Sequence, residues 1–253
     1  MSTADEPQSV RRFSGLADVY DRYRPRYPAV AIAAVLDSLP AHPAAVDIGA
    51  GTGISTRALA EAGARTIAIE PNTDMRAFAV ASGLDARPGT ATATGLPGGC
   101  ADLVTSFQAF HWFANSEALA EFRRLLRPGG RVALVWNERD KADPFSRDFR
   151  ELEKRFGEAA MLAGIHFNDD DLKPLLHAAG FAPRLQRFEH RQVIDRDELI
   201  GRVRSTSYAP RSGPLLEQMI DALRELHATY ADAAGNVVLR YQTEVILGDL
   251  PRT

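Results

Sequence analysis

The chain has 253 residues, 45% of them hydrophobic and 25% charged, with a formal net charge of −3. That length fits one α/β unit with additions and a sizeable core, and the charge balance gives no electrostatic case for binding nucleic acid. The single cysteine, Cys100, excludes an internal disulfide framework and a thiolate zinc cluster, which points to a reducing, cytoplasmic setting.

Residues 1–12 read as a flexible tail, polar and acidic, without the basic start and apolar run of a secretory signal. No stretch approaches the ~20 apolar residues of a membrane span. From Phe13 to Pro28 the chain is dense in tyrosine and arginine, which suggests a cap folded over the remainder. Residues 13–43 are taken as this cap plus a helix over Ala29–Leu39, with Val30, Ala33, Ala34 and Val35 on one face and Pro40 and Pro43 beyond its end.

Residues 44–136 form the predicted binding core. A short apolar strand, Ala44 to Ile48, runs into Gly49, Gly51 and Gly53, after which Ile54, Ala58 and Leu59 take up helical spacing. Glycines there let the backbone take positive φ and leave bare main chain at a helix N-terminus, where a ligand can lie. A dinucleotide fingerprint wants G-x-G-x-x-G with its pyrophosphate over the helix start. Here the third glycine comes one position early, and Asp47 at the strand end would repel a pyrophosphate but suit a cation. Thr66 to Glu70 is the next strand, placing Glu70 where a carboxylate can chelate a ribose diol. Pro71 is expected in the first turn of a helix with Met75, Phe78 and Ala79 on its buried stripe.

A weak third strand lies within Leu84–Gly89, and a fourth begins at Ala101 and runs into Phe107-Gln108-Ala109-Phe110-His111-Trp112. Open α/β sheets bind ligands beyond their strand C-termini, so this loop is where a reacting group belongs. Asn115 or Ser116 caps a helix with Leu119, Phe122, Leu125 and Leu126 along its stripe, and Arg131 to Trp136 is the fifth strand.

Residues 137–253 are expected to supply substrate-side helices and two last strands. One helix carries Phe145, Phe149, Leu152 and Phe156; another starts at Asn168 and Asp169 to Asp171 and stops at Gly180. Phe181 to Ile194 alternates as a strand, Asp195 to Arg204 is a short helix, and a loop follows through Tyr208. A helix holding Leu215, Leu216, Met219, Ile220, Leu223, Leu226 and Tyr230 leads to a last strand from Val237. His166, His177, His190 and His227 are read as structural or solvated.

Val46-Asp47-Ile48-Gly49-Ala50-Gly51-Thr52-Gly53, followed by Ile69-Glu70-Pro71, resembles the cofactor motifs of class I S-adenosylmethionine-dependent methyltransferases. The run Tyr20-Asp21 to Pro28, the Leu125-Leu126-Arg127-Pro128-Gly129-Gly130 stretch and the Gln108-to-Phe113 loop look like a small-molecule subset, including the trans-aconitate type. The resemblance covers roughly Phe13 to Trp136. It implies a Rossmann-like doubly wound α/β sheet of seven strands, mostly parallel with an antiparallel edge, an N-terminal cap and a helical insertion near strand six. It implies cofactor contacts from Tyr20, Arg24, Asp47, Gly49, Gly51, Gly53, Glu70, Pro71, Met75, Thr90, Ala91, Phe107 and Gln108. Thr92 stands where the family often has an acid. Phe13, Phe110, His111, Trp112 and Tyr208 are the expected acceptor contacts, with His111 the candidate general base.

The expected activity is in-line methyl transfer from S-adenosylmethionine to a small molecule, leaving S-adenosylhomocysteine, in a cytoplasmic monomer or homodimer without a nucleic-acid or membrane partner. The alternatives are a nicotinamide-dependent oxidoreductase and a non-catalytic S-adenosylmethionine-binding regulator.

Overall fold

A computed structural model describes residues 8–157 and 169–251. His166 and Asn168 lie outside them, as does most of the expected N-terminal tail. Seven strands form one sheet: β1 (Ala44–Ile48), β2 (Arg65–Ile69), β3 (Ala86–Arg87), β4 (Ala101–Phe107), β5 (Leu126–Arg139), β6 (Ala182–Ile194) and β7 (Val237–Asp249), in the order β3-β2-β1-β4-β5-β7-β6. The pairs from β3 through β5 are parallel, whereas β7 runs antiparallel to both β5 and β6. The mostly parallel sheet with an antiparallel member at one edge is the predicted Rossmann-like architecture, with β6 outermost and β7 set inside it.

Strand alternation sorts the two faces of the sheet. Val46, Ile48, Val104, Val132 and Leu134 point to one side, where Leu119, Phe122 and Leu125 of α6 (Ser116–Leu125) and Leu172 and Leu176 of α8 (Asp169–Ala178) cover them. Ala45, Leu103, Ala133, Val135 and Val245 point to the other, beneath α3 (Ala29–Leu36) and α4 (Ile54–Glu61). Helix α3 buries Ala31, Ile32 and Val35 and leaves Val30 59% exposed, so its inward stripe is rotated from the one expected. A third cluster joins α7 (Pro144–Phe156), α9 (Arg196–Arg204) and α10 (Pro214–Tyr230) to the start of β7.

Between the two ends of the sheet lies the N-terminal segment, with α1 (Gln8–Arg11) and α2 (Ala17–Tyr23). On the core side, Gly15 N–H donates to Asp74 at 2.9 Å, Asn72 Nδ2 donates to Val10 O at 2.9 Å, and Asp21 pairs with Arg57. On the other side, Arg24 donates to Ser205 O at 3.1 Å and Gln192 donates to Tyr23 O at 3.3 Å. The segment is a cap tied to both halves. Helix α5 (Thr73–Ala81) starts later than expected: Asn72 is its N-cap, accepting from Met75 N–H at 2.9 Å, so Pro71 precedes the helix.

Candidate active site

β1 ends at Ile48, and the chain turns through Gly49, Gly51 and Gly53, all at positive φ, into α4. A Cβ on Gly51, at φ +58°, would meet only the Tyr20 ring, at 3.9 Å, so the backbone there faces open space. Gly53 serves a different purpose: it is the N-cap of α4, and a Cβ on it would strike Leu84.

Two carboxylates hold this turn. Asp47 is fully buried, with Oδ2 accepting from Ser55 at 2.6 Å and Thr56 at 2.7 Å, and Oδ1 from Thr105 at 2.8 Å. Burial keeps its carboxyl above the ordinary carboxylate range, against the pull of those hydroxyls. Asp47 thus fixes β1, α4 and β4 to one another and does not line the ligand cavity, which corrects its expected place among the ligand contacts. Glu70, just past β2, accepts from Gly51 N–H through Oε2 and from Asn72 N–H through Oε1, each at 2.8 Å, and does line the cavity.

That cavity has a volume of about 370 Å³. Gly49, Gly51, Glu70 and Pro71 form its floor side, with Met75, Thr90, Ala91, Phe107, Gln108 and Tyr20 around it. Ten of the expected cofactor residues therefore converge, while Asp47, Gly53 and Arg24 do not line it. Arg24 instead stands in a narrow cleft beside Gly49 and Ala50, facing a second and larger cavity of about 660 Å³.

Phe13, Tyr20, Gln108 and Trp112 belong to both cavities and form the seam between them. Phe13 packs edge-on against Tyr20 and against Trp112, each with centroids 6.1 Å apart. Gln108 is held in the left-handed region, φ +53°, by its N–H donating to Val135 O at 2.8 Å and its Nε2 to Asn137 O at 3.2 Å. Such a conformation in a non-glycine residue persists only where the surroundings impose it, and it sits at the seam.

Of the expected acceptor contacts, Phe13, His111, Trp112 and Tyr208 line the second cavity. Phe110 does not: it is 0% exposed, packed edge-on against Phe113 and Phe122 in the core. Residues 110–112 form a tight 3₁₀ turn, which sends successive side chains in different directions, so Phe110 points inward while His111 and Trp112 reach the cavity. Trp136 is likewise core.

Of the remaining wall, Asn137 and the helix that carries Phe145 and Phe156 are expected at the pocket from the sequence, but its charged side chains are not. This wall comes from Asn137, Glu138 and Arg139 at the end of β5, Arg150 and Glu153 on α7, and Arg202 on α9. Glu153 pairs with Arg139 and accepts from Tyr208 OH at 2.7 Å. Burial and the Glu153 charge push the Tyr208 phenol well above its ordinary value. Arg202 had a sequence signal: it lies on the apolar stripe of α9, between Leu199 and Val203, where a charge has no business unless something meets it.

With this geometry in place, residues 46–134 match the family profile described as a methyltransferase domain. That stretch resembles a methyltransferase domain. An uncharacterized methyltransferase of Mycobacterium tuberculosis is 36% identical to this chain over 148 residues, 58% of this chain and 60% of the relative. One from Schizosaccharomyces pombe is 35% identical over 138 residues, 53% of this chain and 55% of that one. The chain thus spans little more than half the length of these relatives. A solved structure from Anabaena variabilis, provisionally described as a methyltransferase of an antibiotic biosynthesis pathway, aligns with a TM-score of 0.62 at 23% identity, over 87% of this chain and 98% of that one. Geranyl diphosphate methyltransferase bound to S-adenosylmethionine aligns at 0.50 and 16% identity, over 89% and 85%. The likeness in fold to these structures extends beyond residue 134.

Proposed function

We propose that this chain is an S-adenosylmethionine-dependent methyltransferase for a small-molecule acceptor. The observation that carries the reading is the meeting of two cavities at Phe13, Tyr20, Gln108 and Trp112, one floored by the glycine turn and Glu70, the other open to a second ligand. The first suits an adenosyl sulfonium: Gly51 offers bare backbone, Glu70 offers oxygens to a ribose diol, and Ile48, Ile69, Met75 and Ala91 give an apolar slot for a flat ring. Arg24, one turn of chain after Tyr20 and buried beside the glycine turn, is the group to hold an amino-acid carboxylate.

When bound, the cofactor supplies an electrophilic methyl group on a positively charged sulfur. An acceptor lone pair held at the seam would take that methyl group, with the electron pair of the carbon–sulfur bond leaving on sulfur. The chain's own work is to aim the acceptor at the seam and exclude water there. Near-attack placement of this kind removes about 7–11 kcal/mol of barrier in favourable cases. The aromatic seam also tolerates the cation.

Thermal unfolding with S-adenosylmethionine, S-adenosylhomocysteine and NAD tests the reading. Saturation at a hundredfold over Kd stabilises by about 2.7 kcal/mol, so the sulfur nucleotides should raise Tm by about 5–10 °C and NAD should not. A shift with NAD alone would favour an oxidoreductase. Binding without release of labelled methyl to any acceptor in a metabolite pool would favour a regulator.

A further inference from the structure

Gln108 reaches both cavities and the narrow cleft beside the glycine turn, and β5 clips it at two points. Its backbone N–H donates to Val135 O at 2.8 Å and its side-chain Nε2 to Asn137 O at 3.2 Å, carbonyls two residues apart on one strand. The left-handed backbone of Gln108 is therefore imposed by the end of β5. That end must itself be fixed for the clip to have a defined place.

Asn137 fixes it. Its side chain is 8% exposed and engaged at both ends. Oδ1 accepts at 2.6 Å from the hydroxyl of Thr243, a fully buried residue of β7, and Nδ2 donates to Arg26 O at 3.1 Å. A carbonyl oxygen only accepts, so Arg26 decides which way the amide faces. Arg26 stands at the exit of the cap, two residues beyond Arg24 and next to Tyr27, whose ring packs against Phe107 with centroids 4.7 Å apart. One residue thus joins β5, β7, the cap and, through its own carbonyl, the seam.

A buried amide engaged at both ends specifies a unique arrangement, whereas an apolar side chain of like size would fill the space without choosing a direction. Displacing a reacting group by about 1 Å costs up to about 100-fold in rate, even when the altered residue lies away from the chemistry. The cap carries Tyr20 and β4 runs into Gln108, so in-line transfer at the seam needs the two in one frame. We propose that Asn137 is a positioning residue for methyl transfer: through the Gln108 amide and the Arg26 carbonyl it holds seam and cap in register, so that acceptor and methyl group meet in line. The catalytic half of that statement rests on the methyltransferase reading; the register rests on the hydrogen bonds alone.

Hydrogen exchange, followed by mass spectrometry on the full ligand-free chain, tests the register. In Asn137→Ala, exchange should quicken by about tenfold or more in peptides covering residues 20–27 and 107–113 together, while peptides of β1 and β2 stay as in the wild type. An Asn137 that serves stability alone would quicken exchange throughout, without singling out these two segments. Labelled methyl transfer from S-adenosylmethionine to a metabolite pool, and then to the component that takes the label, tests the consequence. In Asn137→Ala, kcat should fall by about tenfold or more, with S-adenosylhomocysteine affinity and acceptor KM within about threefold of wild type. Asn137→Asp keeps the bond from Thr243 but offers no donor to Arg26 O, so it should be as slow as Asn137→Ala. Thr243→Ser, which keeps the hydroxyl, should match the wild type; Thr243→Val should fall between, and it is read in place of Asn137→Ala if that variant does not fold. Exchange unchanged in either segment, or a loss of rate that lies wholly in KM, overturns the proposal. A wild type that binds no S-adenosylhomocysteine or transfers no label overturns the methyltransferase reading and the catalytic half with it, while the exchange pattern still decides the register.

Discussion

Asp47 and Glu70 end adjacent strands, face the same glycine turn and are both almost fully buried, yet their partners separate their roles. Asp47 has spent its lone pairs on three hydroxyls of its own framework, whereas each Glu70 oxygen accepts from a backbone N–H and lies on the cavity wall. Glu70→Ala should weaken S-adenosylhomocysteine binding by about 10- to 100-fold. Calorimetry with the 2′-deoxyribose analogue checks the cause, since the mutant should lose the wild type's preference for the ribose form. Glu121 shows the same physics without a ligand. Hydrogen bonds from Arg124, then from Thr94, bring its carboxyl down to about 2 against the cost of burial. Because this folded-state value lies below the usual carboxylate one, its stabilisation is present above about pH 4.5 and drains away as pH falls toward 2. Glu121→Gln should therefore cost about 1–3 kcal/mol at neutral pH and flatten that acid limb, as followed by urea unfolding across pH. At this scale the sequence was legible wherever a backbone requirement forces a residue type, as at Gly51. It was ambiguous where two partners compete for one side chain: nothing in the order Val46-Asp47-Ile48 tells whether the acid meets a ligand or Ser55 and Thr56.

The elements that matter most to the site are the short ones. Helix α2 presses on α9 so closely that a Cβ added to Gly201 would lie 2.5 Å from the Tyr23 ring. This contact brings Arg24, at the end of α2, and Arg202, on α9, into one cavity. Gly201→Ala forces the ring or the helix to shift, and it should weaken both acceptor and cofactor binding while the helix itself gains propensity. Far-ultraviolet circular dichroism unchanged or increased, with affinities down, is the expected pair of results. Most helices and strands followed from apolar periodicity, because burial on one face leaves a mark in the sequence. The stripe of α3 was misjudged since almost every residue of Ala29-Val30-Ala31-Ile32-Ala33-Ala34-Val35-Leu36 is apolar, and a helix apolar all round does not declare its inner face. The charged wall residues Arg150 and Glu153 of α7 and Arg202 of α9 were illegible for a related reason: a charged residue beside an apolar stripe reads as noise until a cavity is seen next to it.

At the scale of the molecule, parallel pairing from β3 to β5 sets the glycine turn, Glu70 and the Gln108 loop along one edge, since all leave their strands at the C-terminal end. The placement of β7 inside β6 could not be read from the chain. Both strands alternate, and an antiparallel pair satisfies its hydrogen bonds with either member outermost. The insertion has an effect on the site, because β7 brings Tyr241 onto the wall of the second cavity. No helix among the described residues is long and apolar enough to cross a membrane.

The N-terminal segment gives these parts a common hinge point. Tyr20 and Arg24 lie one helical turn apart, the first on the wall shared by both cavities and the second on the wall of the larger one, and the stretch that carries them is tied to the core by Asp21 and to the outer helices by Arg24. A ligand that orders this stretch from one side prepares it for the other, and such coupling is reciprocal. Steady-state kinetics should accordingly follow an ordered scheme with the nucleotide first, and S-adenosylhomocysteine should tighten acceptor binding by the same factor by which acceptor tightens S-adenosylhomocysteine.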